Sequence, residues 1–443
     1  MPSPFYYDWR FTQRLLFRFF CCFFIIYIFP FPVNALDFFS YGSDIRSSSN
    51  KLLVWYFAIL DGYTNMWHKF IPWFAAHILR LKTPITIFTN GSGDTTYDYV
   101  QLLSFFIIAL LATLVWSVID RKRKSYHDAY HWLRVFVRYF LGSTLMLYGF
   151  DKIFHLQMPF PSLNTLTQPL GDQSPMGLAW NFVGYSKAFS AFTGWGETIA
   201  GLLLFFRRTT TLGALLSVVV MANVVAINFC YDIPVKLFSS VLWIMSAFLL
   251  APDLDALWNL LVLRRDAQPA DSSFSLNKKW KRITRFGLKW IFIAFVLYGN
   301  ISWGLKMQKQ YGDLVPKPYL YGIYNTVTVI RNKDTVQPLT SDTTRWKQLI
   351  IPYEKFGKIR LMNDSASWYN FVVDSVKKTI TVFSEKDTLN KSRFQFKKDS
   401  VWLVLTGKIQ QDSVYIRLKR FDPNSFRLVS RGFHWINEYP YSP

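Results

Sequence analysis

The chain is 443 residues long, enough for two or more domains, and it is 51% hydrophobic and 19% aromatic, with 42 phenylalanines. Apolar runs of membrane length exclude an ordinary soluble protein as the leading class. The formal net charge of +22 could be drawn to nucleic acid or to an anionic membrane surface. Its clustering beside the apolar runs assigns it to lipid and topology, with no nucleic-acid partner expected.

Seven membrane segments are predicted, at roughly 15–33, 100–119, 134–154, 185–206, 211–230, 235–251 and 285–304. Each is near the ~20 residues that cross ~30 Å of hydrocarbon. "VNALD" (33–37) resembles a small-residue cleavage site after the first apolar run. We retain that run as a span; its removal would leave the orientation of the rest unchanged. The apolar stretch 52–80 is read as an external interfacial helix pair broken at Asp61-Gly62, with Trp67, Trp73 and Phe74 at headgroup level. An eighth crossing there would put the later basic clusters on the wrong side. "TNGSGDTTYD" (89–98) lacks the Gly-Lys-Ser/Thr ending of a phosphate loop and is read as a turn with a helix N-cap.

Basic clusters occur at Arg10, Arg14 and Arg18, at Arg121–Lys124, at Arg207 and Arg208, and from Arg264 to Arg285. All fall on one side if seven segments alternate. Residues 155–186 contain no Lys or Arg, and 231–236 only Lys236. The positive-inside rule therefore predicts a cytoplasmic N-terminus and an external C-terminus. "DAQPADSSFSLNKKWKR" (266–282) marks a polar, then basic, cytoplasmic linker.

Beyond residue 305 the apolar runs shorten and alternate with polar residues. In "SVYIRLKRF" (413–421), Val414, Ile416 and Leu418 share one face; "VWLVLTGKI" (401–409) and "KTITVFSEKD" (378–387) behave alike. This period of two predicts an antiparallel β domain, a sandwich or a barrel. Residues 306–443 hold 23 Lys/Arg against 12 Asp/Glu, interspersed as on a solvated face.

Ionisable residues inside spans are functional candidates by default. Asp151 and Lys152 end the third segment and Glu197 lies in the fourth. Asn223 and Asn228 lie in the fifth, and Asp232 and Lys236 flank the external turn "YDIPVK". Asp151 and His155, four apart, share a face if their helix continues. Asp151 could then orient His155, or pair with Lys236; Lys152, His155 or an Asn could partner Glu197. Asp151, Lys152, Asp232 and Lys236 would sit at similar depth near the external face, with Glu197 about a third of the way into its span from that face, as a ring of polar residues near the outer end of the bundle. Gly194, Gly196 and Gly201, and the Gly213/Ser217 pair, point to close helix packing. No metal site is expected: His127 and His131 have i, i+4 spacing but sit among basic residues. Cys21, Cys22 and Cys230 form no C-x-x-C pair, so thiol redox chemistry by this chain is not expected.

"RYFLGSTLMLYGFDKIF", "AFTGWGETIAGLLLFFRRTTTLGALLSVVVMANVV" and "YDIPVKLF…APD" together resemble the DoxX-like family of small four-helix membrane proteins, over residues 134–255. The fold class expected is an α-helical polytopic membrane protein of about seven spans with a DoxX-like four-helix core and a C-terminal all-β domain. Its parts would be a two-span N-terminal membrane region with the external interfacial segment (1–133), the DoxX-like bundle (134–263), a basic linker (264–284), the last span (285–305) and an extracytoplasmic β domain (306–443). The resemblance implies an inner-membrane subunit or helper in an envelope redox process, with quinone as candidate cofactor and a membrane or envelope redox protein as partner. Glu197 and Lys152 would meet a small-molecule headgroup. A non-enzymatic assembly or docking protein is the alternative, and a small-solute transporter the third reading.

Overall fold

A computed structural model describes residues 8–36, 46, 49–266, 278–384 and 387–442. It divides into a helical unit, to which residues 8–158 and 174–313 belong, and a β unit of residues 159–173 and 314–442.

The helical unit contains α1 (Phe11–Ile28), α2 (Lys51–His77), α3 (Thr96–Ile119), α4 (His127–Ile153), α5 (Pro175–Tyr185), α6 (Lys187–Leu204), α7 (Thr210–Cys230), α8 (Lys236–Leu250) and α9 (Lys279–Gln310). Among the described residues, five stretches are long and apolar enough to cross a membrane: Phe11–Ile28, Thr96–Ile119, Arg207–Cys230, Lys236–Leu261 and Lys279–Gln310. They match five of the seven expected segments. The other two, near 134–154 and 185–206, also form helices, α4 and α6, but their composition is more polar. The reason lies in where those helices sit. Between Phe140 and Phe150 every residue of α4 except Tyr148 is buried, so its polar groups meet protein rather than lipid. By contrast Leu111, Leu114, Val115, Val118 and Ile119 of α3 stand exposed, as a lipid-facing surface requires.

α4 packs on α6, α6 on α7, α7 on α8 and α8 back on α4, which closes the four-helix core; α1 packs on α3 and α4, and α9 on α4. Leu141, Leu145, Ala200, Leu204, Ala214, Met245 and Leu249 fill the centre. The expected helix pair at 52–80 is instead one helix, α2, running through Asp61-Gly62 and Pro72. A helix-interior Gly costs only ~1 kcal/mol relative to Ala. That is too little to break a helix whose Phe57, Leu60, Trp67, Ile71 and Phe74 form one buried face. Residues 89–98 do form a turn and cap: Thr95 and Asp98 make the capping box of α3.

The basic clusters meet at one end of the unit. Arg14 donates to the Arg123 carbonyl at 2.9 Å. Arg18, buried, donates to Tyr126 Oη at 2.7 Å, Ser117 Oγ at 2.9 Å and the Asp120 carbonyl at 2.9 Å. Arg207 and Arg285 line one cavity with Arg138. The expected linker lies largely outside the described residues, as does Asp37.

In the β unit, strands β1 (Gly322–Arg331), β2 (Asp334–Thr335), β3 (Trp346–Ile351), β4 (Phe356–Leu361), β5 (Ala366–Asp374), β6 (Thr379–Ser384), β7 (Asp387–Lys398), β8 (Trp402–Ile409) and β9 (Asp412–Phe421) pair antiparallel. β9 pairs back on β1, from Ile323 opposite Phe421 to Arg331 opposite Val414. Among the described residues this closes an eight-stranded barrel, with β2 a spur on β1. Closure removes the free sheet edges. A barrel of eight strands is just wide enough for side chains to fill it, and Leu349, Phe371, Phe394, Leu403, Ile416 and Leu418 do so. Residues 159–173 belong to this unit through Leu163, packed with Ile323 and Ile350, and through Arg360, which donates to the Thr167 carbonyl at 2.9 Å.

The filled interior makes the barrel sensitive to truncation. Phe394→Ala is expected to cost about 3–5 kcal/mol, seen as a lower thermal midpoint by near-UV circular dichroism on the full chain in detergent. Val372→Thr, at an exposed position of β5, is expected to stay within about 0.5 kcal/mol of the parent.

Candidate functional site

α4 ends in the sequence GFDKIFHL for a backbone reason. His155 takes a left-handed conformation, φ 56°. The His155 N–H donates to the Lys152 carbonyl at 3.0 Å, and the Leu156 N–H to the Asp151 carbonyl at 2.8 Å. This is the Schellman termination. It leaves Lys152 on the last turn, pointing into the bundle.

Lys152 Nζ lies 2.8 and 2.7 Å from the two carboxylate oxygens of Glu197 on α6. Both side chains are more than nine-tenths buried. The pair is reached because α4 and α6 approach at two glycine contacts. An added Cβ at Gly194 would lie 2.5 Å from the Gly149 carbonyl oxygen, and one at Gly201 would lie 2.6 Å from that of Gly142. Such separations are below anything a real Cβ tolerates. The two glycines on each helix are seven residues apart, two helical turns, so they recur on one face. Ser190 Oγ adds a bond to the Lys152 carbonyl at 2.9 Å, and the Lys152 ammonium lies 5.9 Å from the Tyr148 ring centroid. Asp151, half-buried beside this pair, makes no side-chain hydrogen bond or ion pair with the described residues.

The other candidates are drawn elsewhere. His155 does not continue the helix, so it does not share a face with Asp151. Its Nδ1 lies 3.0 Å from Asp313 Oδ2 and its Nε2 3.0 Å from the Gly184 carbonyl. Both partners are acceptors, so only the doubly protonated ring donates to both. Lys187 Nζ lies 2.7 Å from the same Asp313 oxygen. Lys236 pairs with Asp232 at 2.8 Å and lies 3.7 Å from Asp94, so Asp151 does not have it as a partner. Asn228 donates to Ser239 Oγ at 3.0 Å, while Asn223 is exposed on the outside of α7. The candidates are therefore dispersed: Asp151, Lys152 and Glu197 lie together and Asp232 pairs with Lys236, while His155, Asn228 and Asn223 each stand apart from both groups.

Asp94, Lys187 and Asp313 do not stand out in the sequence. Asp94 accepts from the Lys236 and Leu237 N–H groups at 2.8 and 3.0 Å, capping α8, which has no side-chain cap of its own. No spacing rule links Asp313 to His155, 158 residues away. The paired glycines did carry a signal, their matching seven-residue intervals on α4 and α6.

Lipid-length helices, a central helix that hides its charges and a buried ion pair between two of four core helices define a multi-pass membrane protein. The DoxX family profile matches residues 133–231, which include Lys152, Glu197 and both glycine contacts. The chain is also 35% identical over 118 residues to the uncharacterized protein YwoB of Bacillus subtilis (strain 168), a match spanning 26% of this chain and 73% of that protein. The chain belongs to the DoxX family. No solved structure matches it.

Removing one partner of a buried pair strands the other charge, at about 3–5 kcal/mol. Glu197→Gln is accordingly expected to lower the thermal midpoint in detergent sharply. A double Lys152→Met/Glu197→Leu variant should recover most of the loss; failure to recover would mean the pair is not the source of the effect.

Burial pushes the Asp313 carboxyl up, but the hydrogen bonds and charges of Lys187 and His155 outweigh it and hold the group below the ordinary 3.8. A folded-state pKa below the unfolded one stabilises at pH above about 3.8, and that contribution is lost as pH falls through the lower folded value. The midpoint of Asp313→Asn should therefore be lower than the parent's at neutral pH and should converge on it below about pH 3.8.

Proposed function

We propose that the chain is a subunit or accessory factor of a quinone-linked redox process in the bacterial inner membrane, with its N-terminus cytoplasmic and its barrel outside. The orientation is supported by the grouping of the basic clusters at one end of the helical unit. The redox reading is supported by one observation above others. A half-buried carboxylate with no side-chain hydrogen bond or ion pair among the described residues, Asp151, stands beside a buried Lys152–Glu197 pair at the opposite end of α4. Apolar packing is often as stable as a buried ion pair or more so, so a charged pair retained inside a membrane bundle invites a role beyond stability.

The residues fit a quinone headgroup only at the Asp151 edge. Lys152 and Glu197 satisfy each other, and the glycine contacts leave no room between α4 and α6. Asp151 is reachable from outside that contact, and its carboxylate would take or release a proton at Oδ. Lys152–Glu197 would hold the last turn of α4 in place and set the local field, acting through Asp151 rather than on the ligand. The two-electron chemistry is what a bound quinone supplies. A membrane or envelope redox protein would be the partner.

The tight helix contact favours a second reading, in which the pair is a packing device and the chain is a non-enzymatic assembly factor whose barrel docks a partner. Titration of the purified protein with a short-chain quinone, followed by tryptophan fluorescence, separates the two. Binding in the micromolar range that Asp151→Asn weakens at least tenfold, with an unchanged thermal midpoint, is expected from the first. Absence of binding up to millimolar quinone removes it. Alkaline phosphatase fused after residue 442 should be active, and after residue 265 inactive, if the orientation is as stated.

A further inference from the structure

At the basic end of the helical unit is a cavity of about 760 Å³ bounded by α4, the turn after α6 and the start of α9. Among the described residues six cations line it, Arg138, Arg207, Lys279, Arg282, Arg285 and Lys289, and no acidic residue does. Three elements far apart in sequence thus deliver like charge to one hollow.

Arg138 makes this more than a basic surface. It is only 8% exposed. Its Nε donates to the Leu204 carbonyl at 2.8 Å, which anchors the guanidinium in the cavity wall. It has no acidic partner among the described residues. A guanidinium does not deprotonate to escape burial, and a buried charge without a counter-charge is destabilising. An anion in the cavity supplies that counter-charge. Lys289 is held at the wall by the Phe206 ring, with its ammonium 3.9 Å from the centroid.

The rim narrows the kind of anion. Trp132, Ile283 and Phe286 line the same cavity and are largely exposed. Arginine forks match phosphate oxygens in bidentate geometry, and an apolar rim suits a phosphate that carries acyl chains. Basic pockets between membrane helices are the general setting for anionic headgroups. We propose that this cavity binds a phosphate-bearing anion, and that in the membrane this is the headgroup of an anionic phospholipid.

The test uses the full chain in nanodiscs or detergent. Affinity is measured for phosphatidylglycerol, for phosphatidylcholine and for inorganic phosphate, by native mass spectrometry and thermal shift. Phosphatidylglycerol is expected to be retained and to raise the thermal midpoint, with phosphatidylcholine at least tenfold weaker. The triple variant Lys279→Gln/Arg282→Gln/Arg285→Gln alters only exposed positions, so it should fold and lose at least tenfold in lipid affinity. Arg138→Gln should lose binding as well, but its burial makes it the secondary variant. Lys278→Gln/Lys281→Gln removes charge from the same helix outside the cavity and should bind like the parent. Equal capture of inorganic phosphate, lost in the triple variant, supports the phosphate site but makes its source soluble. Equal losses in the triple and control variants, or no preference for the anionic lipid, would overturn the proposal in favour of a diffuse basic surface.

Discussion

The close approach of α4 and α6 at Gly142–Gly201 and Gly149–Gly194 is the constraint on which the helical unit depends. With no hydrophobic effect between helices in lipid, association rests on van der Waals contact and hydrogen bonds, and small residues allow backbones to touch. Here the touching backbones bring Lys152 and Glu197 within 2.8 Å of each other. The contact thus makes two charges tolerable where hydrocarbon would reject them singly. It also explains why α4 can be the most polar of the core helices, since its neighbours enclose it.

The two ends of this unit treat charge in opposite ways. At one end, acids and bases are matched: Glu197 with Lys152, Asp313 with Lys187 and His155, Asp94 and Asp232 with Lys236. At the other, arginines and lysines converge on a cavity that no carboxylate of the described residues lines. Matched charges suit a rigid frame around Asp151, whose side chain has no hydrogen bond or ion pair among the described residues. A concentration of cations in one hollow suits capture of an external anion. Both features belong to the same bundle, so a lipid held at the basic end would brace α4, α6 and α9 together.

Much of the outline was legible because it rests on periodicity and on local charge. Val414, Ile416 and Leu418 alternate in the sequence and line the barrel interior. The basic clusters gather at one end as alternating spans require. Lys152 and Glu197 stood out because charge within an apolar run is rare. What misled was local reasoning carried past its range. The i, i+4 relation of Asp151 and His155 assumed a helix that the left-handed His155 ends. Asp61-Gly62 looked like a break, yet α2 continues because its buried face outweighs one glycine.

Composition, hydrophobic period and charge placement determined by themselves that this is a membrane helical protein with a β domain, because those signals are read residue by residue. Only the tertiary structure decided which polar groups meet. Glu197 found Lys152 rather than His155 or an Asn because two glycine contacts set the register of α4 against α6. His155 found Asp313, and Asp94 found the start of α8, across distances in sequence that no spacing rule reports. The barrel's closure depends likewise on β1 meeting β9, a pairing between the first and last strands that alternation alone leaves open.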